Sequence, residues 1–181
     1  MSEAGTAKRG LPLRVKMRHG AHFVDELASR NESSIGRLLP LSSLRANPHQ
    51  PRTEVGDLAD LVASIRAKGV LEQILVRKHD VVEGLPAGVK FEIVAGERRY
   101  RAALEAGLFE IPAIELDVTA DEALEITLIE NLQRKDLNAF EEAEGYQALG
   151  SLHNYTQEQI AQAVGRSRSS VAESLSLLAL P

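Results

Sequence analysis

The 181-residue sequence contains no cysteine and no tryptophan, and aromatic residues make up only 4% of it. The lack of cysteine excludes disulfide bonds, thiolate metal sites and cysteine nucleophiles, and it favours a reducing cytoplasm. Because there is no run of about 18 apolar residues and no apolar signal core near the start, we predict neither a membrane span nor export. The core must be built from Leu, Ile, Val and Ala, a composition that leans towards helix.

Charge is distributed unevenly along the chain, whose net charge is -5. The first twenty residues carry five basic side chains against Glu3 alone, whereas residues 121–145 carry eight acidic side chains against two basic ones. An acidic stretch can hold a phosphate only if a cation stands between them. Residues 1–36 are predicted to form a mobile basic arm with one short helical stretch, Phe23 to Ser29; an ordinary disordered terminus is the alternative.

Residues 37–120 are predicted to form a mixed α/β domain. Glycines that follow stretches of helical periodicity mark the ends of helices, and short β-branched runs mark strands. The predicted elements are a strand from Arg37 that ends at Asn47-Pro48, a helix from Asp57 to Lys68, a strand from Val70 to Arg77, a hairpin loop over 79–90, a strand from Phe91 to Val94, a helix from Gly96 to Ala106 and a strand from Ile111 to Val118.

Residues 121–181 are predicted to form an all-α domain. The composition is helical throughout, and Thr156 with Gln159 has the spacing of a capping box. The fold class is therefore α+β followed by all-α. The predicted helices span residues 121–133, 139–152, 156–164 and 168–178.

The segment Gly96-Glu97-Arg98-Arg99 joins a predicted strand to a predicted helix. The unpaired amides of a helix N-terminus attract an anion, and arginine adds forked donors, so the segment suits a polyphosphate. The alternative is a solvated helix face, because Glu97 and Arg101 lie four residues apart and can pair on the surface. Spacing alone leaves both interpretations open.

A second candidate site is Glu130-Asn131, near the end of a predicted helix. A carboxylate beside an amide oxygen suits a hard divalent ion such as Mg²⁺, which keeps water as its other ligands and bridges to phosphate oxygens. The alternative is that the acidic residues of this region, which include Asp136, Glu141 and Glu142, serve as helix caps.

The segment from Thr156 to Leu178 has the layout of a helix-turn-helix, with Gly165 at the tight turn. In such a motif the N-terminal end of the second helix reaches base edges and phosphates. A plain helical hairpin is the alternative, and the neutral charge of residues 155–181 favours it. The candidate DNA-binding residues are Arg166, Ser167, Arg168, Ser169 and Ser170, with Gln157 at the start of the first helix.

Taken together, these segments resemble the ParB family of partition proteins. Several separate motifs occur in the family's order, over residues 37–181. They are NPHQPR at 47–52, SIRAKGVLEQILVR at 64–77, GERRYRAA at 96–103, ENLQRKDLNAFEEA at 130–143 and TQEQIAQAVGRSRSSVAESLSLLALP at 156–181.

The resemblance implies a ParB/sulfiredoxin-type domain that binds CTP with Mg²⁺, followed by a helix-turn-helix domain that recognises a palindromic, centromere-like site on double-stranded DNA. It implies a homodimeric clamp that closes around DNA with CTP bound, slides, and reopens through slow CTP hydrolysis. The site residues carried over are Gly96, Glu97, Arg98 and Arg99 for the triphosphate, Glu130 and Asn131 for the metal, Gly69, Val70 and Leu71 for the base or ribose, and Gln50 for orienting the attacking water.

The sequence departs from the family's pattern at three places. Glu72-Gln73 stands where Gln-Pro often follows the Gly-Val-Leu turn, which puts the base-side contacts in doubt. Glu173 and Ser176 stand where polar or basic residues are usual in the recognition helix, which would weaken or redirect DNA reading. The chain also stops at Leu180-Pro181, from which we expect a truncated form or a shortened paralogue.

The basic arm resembles the segment through which ParB proteins engage a ParA-type ATPase, with Lys8-Arg9-Gly10-Leu11 in place of the usual Gly-Arg-Gly-Leu. A sulfiredoxin-like reductase is excluded because it needs a cysteine. Two alternatives remain: a different enzyme on the same scaffold, and a DNA-binding transcription regulator whose first half binds no nucleotide. We expect a cytoplasmic, nucleoid-associated protein without a membrane partner.

Overall fold

A computed structural model of the chain describes residues 36–48, 56–79 and 87–179. These residues belong to two compact units, with the boundary between Thr119 and Ala120. The predicted arm, apart from Gly36, and the predicted hydrolytic Gln50 lie outside the described residues.

The described residues of the first unit form a five-stranded mixed sheet and two α-helices. Its strands are β1 (Arg37–Pro40), β2 (Leu44–Arg45), β3 (Ile74–Lys78), β4 (Phe91–Ala95) and β5 (Glu110–Leu116), in the order β1-β5-β3-β4-β2. β1 with β5 and β3 with β4 are antiparallel, whereas β3 with β5 and β2 with β4 are parallel. The helices are α1 (Ala59–Lys68) and α2 (Glu97–Glu105).

The core of this unit lies between the sheet and the two helices. Val62 and Ile65 of α1 form one buried cluster with Ala102 of α2. The next residue of α2, Ala103, belongs to a second cluster with strand residues that include Ile74. The small side chains of α2 therefore let it pack closely against both α1 and the sheet.

Two strand predictions are wrong in extent. The single strand predicted from Arg37 is interrupted by a 3-10 turn over Leu41–Ser43, in which the Ser43 hydroxyl donates to the Pro40 carbonyl at 2.7 Å. The turn sends β1 and β2 to opposite edges of the sheet. The strand predicted from Val70 begins only at Ile74, because the half-buried Val70 packs against both core clusters instead of pairing in the sheet.

The second unit consists of four described α-helices: α3 (Ala120–Leu132), α4 (Ala139–His153), α5 (Gln157–Val164) and α6 (Arg168–Leu177). Each predicted helix is confirmed to within one residue at either end. Local capping explains this agreement. Asn138 and Thr156 each form a capping box, and Gly165 ends α5 with a φ of 70°.

No helix among the described ranges has both the length and the apolar composition needed to cross a membrane.

A row of three charged side chains crosses the sheet of the first unit. Glu92 of β4 lies beside Arg45 of β2 and Arg77 of β3 in the strand register. Arg77 donates to Glu92 Oε1 from Nε at 3.1 Å and from Nη2 at 3.0 Å, and Arg45 Nε donates to Oε2 at 2.9 Å. Burial alone would raise the pKa of Glu92, but the hydrogen bonds and charges of Arg45 and Arg77 outweigh it and hold that pKa below its ordinary value.

This row makes the first unit sensitive to acid. A carboxyl group whose folded pKa is lowered stabilises the fold above its unfolded pKa, about 4.3 for glutamate, and this contribution is lost as pH falls through the folded pKa. We expect Glu92→Gln to lower the free energy of unfolding at neutral pH by about 3 to 5 kcal/mol, because two largely buried guanidinium groups lose their counter-charge. Below about pH 4 the free energy of unfolding of the wild type should fall as Glu92 becomes protonated, and this fall should be smaller in the variant.

Urea denaturation of the wild type and Glu92→Gln, from neutral pH down to about pH 3, measures both effects. Glu105→Gln, on the exposed face of α2, is the control and should follow the wild type throughout. A decline with acid that is the same in Glu92→Gln and the wild type would contradict the assignment.

Candidate nucleotide site and nucleic-acid interface

The predicted phosphate segment lies where β4 passes into α2, and its first residue is Gly96. Gly96 is the N-cap of α2 and has a φ of 99°, in the left-handed region that favours glycine. A Cβ atom at this position would lie 2.7 Å from Ile74 Cγ2 and 3.3 Å from the Ile74 Cα. Glycine therefore serves both the turn and the close approach of the helix start to β3.

Glu97 is the first residue of α2, and it turns inward. Its residue is 9% exposed, and Oε1 accepts a hydrogen bond from Arg101 Nε at 2.7 Å. Oε2 is buried and has no hydrogen-bond partner within the described part of the chain. The predicted surface pair of Glu97 and Arg101 therefore forms, but it occupies only one carboxylate oxygen. The remaining oxygen is an acceptor suited to a donor group or a cation.

Arg98 and Arg99 extend from the start of α2 towards two different loops. Arg98 Nη2 donates to the Asp57 carbonyl at 3.2 Å. Arg99 Nη1 donates to the Gln73 carbonyl at 3.1 Å, and Arg99 Nη2 donates to the Glu72 carboxylate. Two arginine side chains thus extend from the first turn of a helix, and both guanidinium groups and helix-start amides are donors that suit phosphate oxygens.

The predicted base-side residues, Gly69 to Leu71, follow α1 directly. Gly69 ends the helix with a φ of 74°, and its amide donates to the Ile65 carbonyl. Val70 is half-buried, whereas the side chain of Leu71 is 75% exposed. Because Glu72 and Gln73 come next, the contacts of Arg99 bring this turn close to the start of α2. The sequence motifs identified the two segments but did not predict the contact between them.

The predicted metal residues, Glu130 and Asn131, lie in the last turn of α3, in the second unit. The Asn131 Oδ1 accepts from Arg134 Nη1 at 3.3 Å, and Arg134 also pairs with Asp136. Within the described ranges, no three His, Asp or Glu side chains are grouped so as to hold a metal ion. One carboxylate and one amide oxygen fit only a hard ion that keeps most of its water.

The capping interpretation of the nearby acidic residues is confirmed for one of them. Glu141 Oε2 accepts from the Asn138 amide at 2.9 Å and completes the capping box of α4. Glu142 has a different role, because its Oε1 accepts from the buried Tyr146 hydroxyl at 2.5 Å and lies 4.0 Å from Arg166 Nε.

The helix-turn-helix is formed by α5, the turn at Gly165 and α6. The apolar residues at helical spacing, Ile160, Ala161 and Val164 of α5 and Val171 of α6, are buried, whereas Leu175 and Leu178, which the same spacing predicts to be buried, are half-buried. The Ser167 hydroxyl accepts from the Ser170 amide at 3.1 Å, so Ser167 caps α6. Ser167 would therefore have to make its predicted DNA contact while its hydroxyl also caps α6.

The N-terminal ends of α5 and α6 border a shallow cleft of about 380 Å³. Arg168 and Ser169 are exposed at the start of α6, whereas Ser170 is half-buried. Glu173 and Ser176 are exposed further along α6. The cleft combines a guanidinium group with the amides of a helix start, which suits a DNA phosphate. Its lining residues are Thr156, Gln157, Glu158 and Arg168.

A buried polar cluster supports the helix-turn-helix, and sequence reasoning missed it. Glu125 of α3 accepts a hydrogen bond from the Tyr155 hydroxyl at 2.8 Å, and its Oε2 lies 3.1 Å from His153 Nε2. Burial and the hydrogen bond to Glu125 raise the pKa of Tyr155 above its ordinary value. The only sequence signal was an acidic residue in a stretch of α3, Ala123 to Ile129, whose other residues are apolar except Thr127.

Comparisons with known proteins match most of the chain. A family model for the ParB N-terminal domain matches residues 25–132, and one for the ParB HTH domain matches residues 135–181. The chain is 54% identical over 145 residues to the chromosome-partitioning protein Spo0J of Thermus thermophilus, which covers 79% of this chain and 51% of the relative. The chain spans about half the length of the curated relatives it matches.

Two solved structures of the C-terminally truncated chromosome-partitioning protein ParB from Caulobacter crescentus are also similar. The one complexed to the centromeric parS site is 45% identical with a TM-score of 0.66, and the match covers 80% of this chain and 73% of that chain. The one complexed with CTP-gamma-S is 48% identical with a TM-score of 0.48, and the match covers 81% and 80%.

Proposed function

Because the chain belongs to the ParB family, we propose that it is the nucleotide-binding and DNA-binding part of a CTP-dependent clamp that acts in chromosome or plasmid partition. The observation that carries the proposal is the junction of β4 and α2. There a left-handed glycine, a helix N-terminus and two arginine side chains come together, in a chain that also carries a helix-turn-helix.

The triphosphate of CTP would bind at the start of α2. The amides that follow Gly96 would donate to phosphate oxygens, and Arg98 and Arg99 would each exchange a carbonyl contact for a charged phosphate. The turn from Gly69 to Leu71 would contact the base or ribose, and exposed Leu71 offers apolar surface for it. Bound Mg²⁺ would neutralise phosphate charge, with Glu130 and Asn131 as its protein ligands.

Hydrolysis in this proposal is slow and acts as a reset. Gln50 would orient a water molecule towards the γ-phosphate, as amide side chains do in other phosphoryl transfers. CTP and DNA together would favour self-association of the N-terminal domains of a homodimer, and hydrolysis would release it. The basic arm would engage a ParA-type ATPase, and the protein would act in the cytoplasm on the nucleoid.

DNA would be recognised by the helix-turn-helix. The family relative from Caulobacter crescentus was solved with the centromeric parS site, which supports a palindromic, centromere-like target for this chain. Exposed Arg168 and Ser169 are the best placed for base edges, and the cleft at Gln157 is suited to a phosphate. Ser167 and Ser170 would contribute mainly by holding the start of α6 in place.

Arg98→Ala tests the nucleotide site. Calorimetry with CTP, ATP, GTP and UTP, with and without Mg²⁺ and in the presence of the DNA site, should show binding selective for CTP. The substitution removes a charge-assisted hydrogen bond of about 1.5 to 3 kcal/mol, so CTP affinity should fall roughly 10- to 150-fold. Arg66→Ala is the matched control, because Arg66 of α1 donates only to the Glu105 carbonyl among the contacts described.

Two results would contradict the proposal in different ways. Equal binding of all four nucleotides would remove the base selectivity but keep the phosphate site. Sequence-specific DNA binding without binding of any nucleotide would favour a DNA-binding regulator whose first unit is a scaffold.

A further inference from the structure

Glu72 contacts the phosphate site from outside α2. It lies in the loop between α1 and β3, where its carboxylate accepts a hydrogen bond from Arg99 Nη2. Arg99 Nη1 donates to the neighbouring Gln73 carbonyl at 3.1 Å. Both terminal nitrogens of Arg99 are therefore directed to the Glu72-Gln73 segment, and its charge is balanced by a carboxylate.

This ion pair has little to do with the stability of the fold. The side chain of Glu72 is 71% exposed and that of Arg99 is 32% exposed. Exposed pairs are screened by water and salt and contribute little, because holding two long side chains in one geometry costs entropy. We therefore expect the pair to affect the binding of a ligand by Arg99 and not the stability of the fold.

A carboxylate and a phosphate cannot both be satisfied by one guanidinium group without repelling each other. If the phosphate takes the Nη2 donor of Arg99, the Glu72 carboxylate either leaves or remains as a second negative charge a few ångströms away. Both outcomes lower the affinity for an anion. A neutral side chain of the same size at position 72 would have neither effect.

We propose that Glu72 is a competing ligand for Arg99, which weakens nucleotide binding and weakens it most for the nucleotide with the most phosphates. This inference rests on the proposed nucleotide site and deepens it. Glu72 also follows Leu71, the exposed apolar residue of the base-side turn. Release of Glu72 by a phosphate frees that turn, so occupation of the phosphate site and the contact to the base are coupled.

The test compares Glu72→Gln with the wild type by calorimetry, using CTP, CDP and CMP. The substitution should raise CTP affinity three- to tenfold, with a smaller gain for CDP and the smallest for CMP. Because the effect is electrostatic, the gain should shrink when the salt concentration rises from about 0.1 M to about 1 M, where the Debye length falls to about 3 Å. Thermal unfolding should be unchanged, which shows that the fold is intact.

Glu110→Gln, an exposed glutamate at the start of β5, is the control and should leave CTP affinity within twofold of the wild type. If the wild type binds CTP and Glu72→Gln binds it with equal or lower affinity, the inference is wrong and the proposed function stands. An equal gain at both salt concentrations also overturns it, because it indicates altered packing. Failure of both proteins to bind CTP overturns the proposed function together with the inference.

Discussion

Replacing Gly96 by alanine is expected to lower the free energy of unfolding of the first unit by about 2 to 5 kcal/mol and to weaken nucleotide binding more than tenfold. Two costs add. A left-handed conformation costs an L-residue about 1 to 2 kcal/mol, and a methyl group forced into a packed site costs about 1 to 3 kcal/mol. The methyl group would meet Ile74, whose side chain is fully buried and whose Cα belongs to the backbone of β3.

The loss of binding follows from the same clash. Because neither the Ile74 backbone nor its buried side chain can move away freely, the start of α2 has to shift. The amides that are proposed to bind the phosphates, and the two arginine side chains, shift with it. Contacts made by fixed donors depend on position, so a displacement of a few tenths of an ångström weakens several at once.

The Gly107→Ala variant separates the cost of the left-handed backbone from the cost of the clash with Ile74. Gly107 also has a left-handed φ, 80°, but a Cβ atom there would meet nothing within 4 Å. Alanine at this position should therefore cost only the backbone term, about 1 to 2 kcal/mol, and leave nucleotide affinity unchanged. Chemical denaturation and calorimetry on both variants give the comparison. Equal effects of the two substitutions would mean that the close approach to Ile74 is unimportant.

The second large effect is expected from Glu125→Ala. The substitution leaves the Tyr155 hydroxyl and His153 Nε2 without their buried carboxylate. A buried hydroxyl that loses its hydrogen-bond acceptor costs about 1 to 3 kcal/mol, and the cavity left by the buried Glu125 side chain adds to this cost. Since Tyr155 directly precedes Thr156, the cap of α5, we expect specific DNA binding to be lost along with stability.

Thermal unfolding and DNA binding of Glu125→Ala and Glu125→Gln measure this effect. The glutamine variant keeps an acceptor of the same size for Tyr155 and should lose less stability than the alanine variant. Glu144→Ala, on the exposed side of α4, is the control and should stay within about 0.5 kcal/mol of the wild type. If Glu125→Ala unfolds at the temperature of this control, the cluster does not support the helix-turn-helix.

Local signals in the sequence predicted the second unit well. The cap at Thr156 was predicted from its spacing to Gln159, and Gly165 was predicted at the turn that ends its helix; the cap at Asn138 was not predicted, although it is equally local. Such contacts involve only neighbours in the chain, so they can be read without knowledge of the fold. The first unit was harder to predict. The chain from Arg37 was expected to form one strand, but it forms β1 and β2, which pair with β5 and β4, and these partners lie far away in sequence.

The phosphate segment divides in the same way. Gly96, Arg98 and Arg99 could be named from the sequence, because a glycine followed by basic residues between a strand and a helix predicts an anion site. Their contacts could not be named. The partners of the two arginines lie 41 and 26 residues away, and the contact with Glu72 depends on how the loop after α1 meets α2.

The sequence by itself determined the family, the order of the elements and the bounds of the helices after Thr119, and it predicted the phosphate segment. Periodicity, caps and short motifs involve only a few neighbouring residues, so they can be recognised in the sequence alone. Only the tertiary structure decided that Gly96 is held against Ile74, that Glu125 is buried with Tyr155, and that Glu72 occupies Arg99. These contacts arise from close packing between distant segments, which periodicity does not encode.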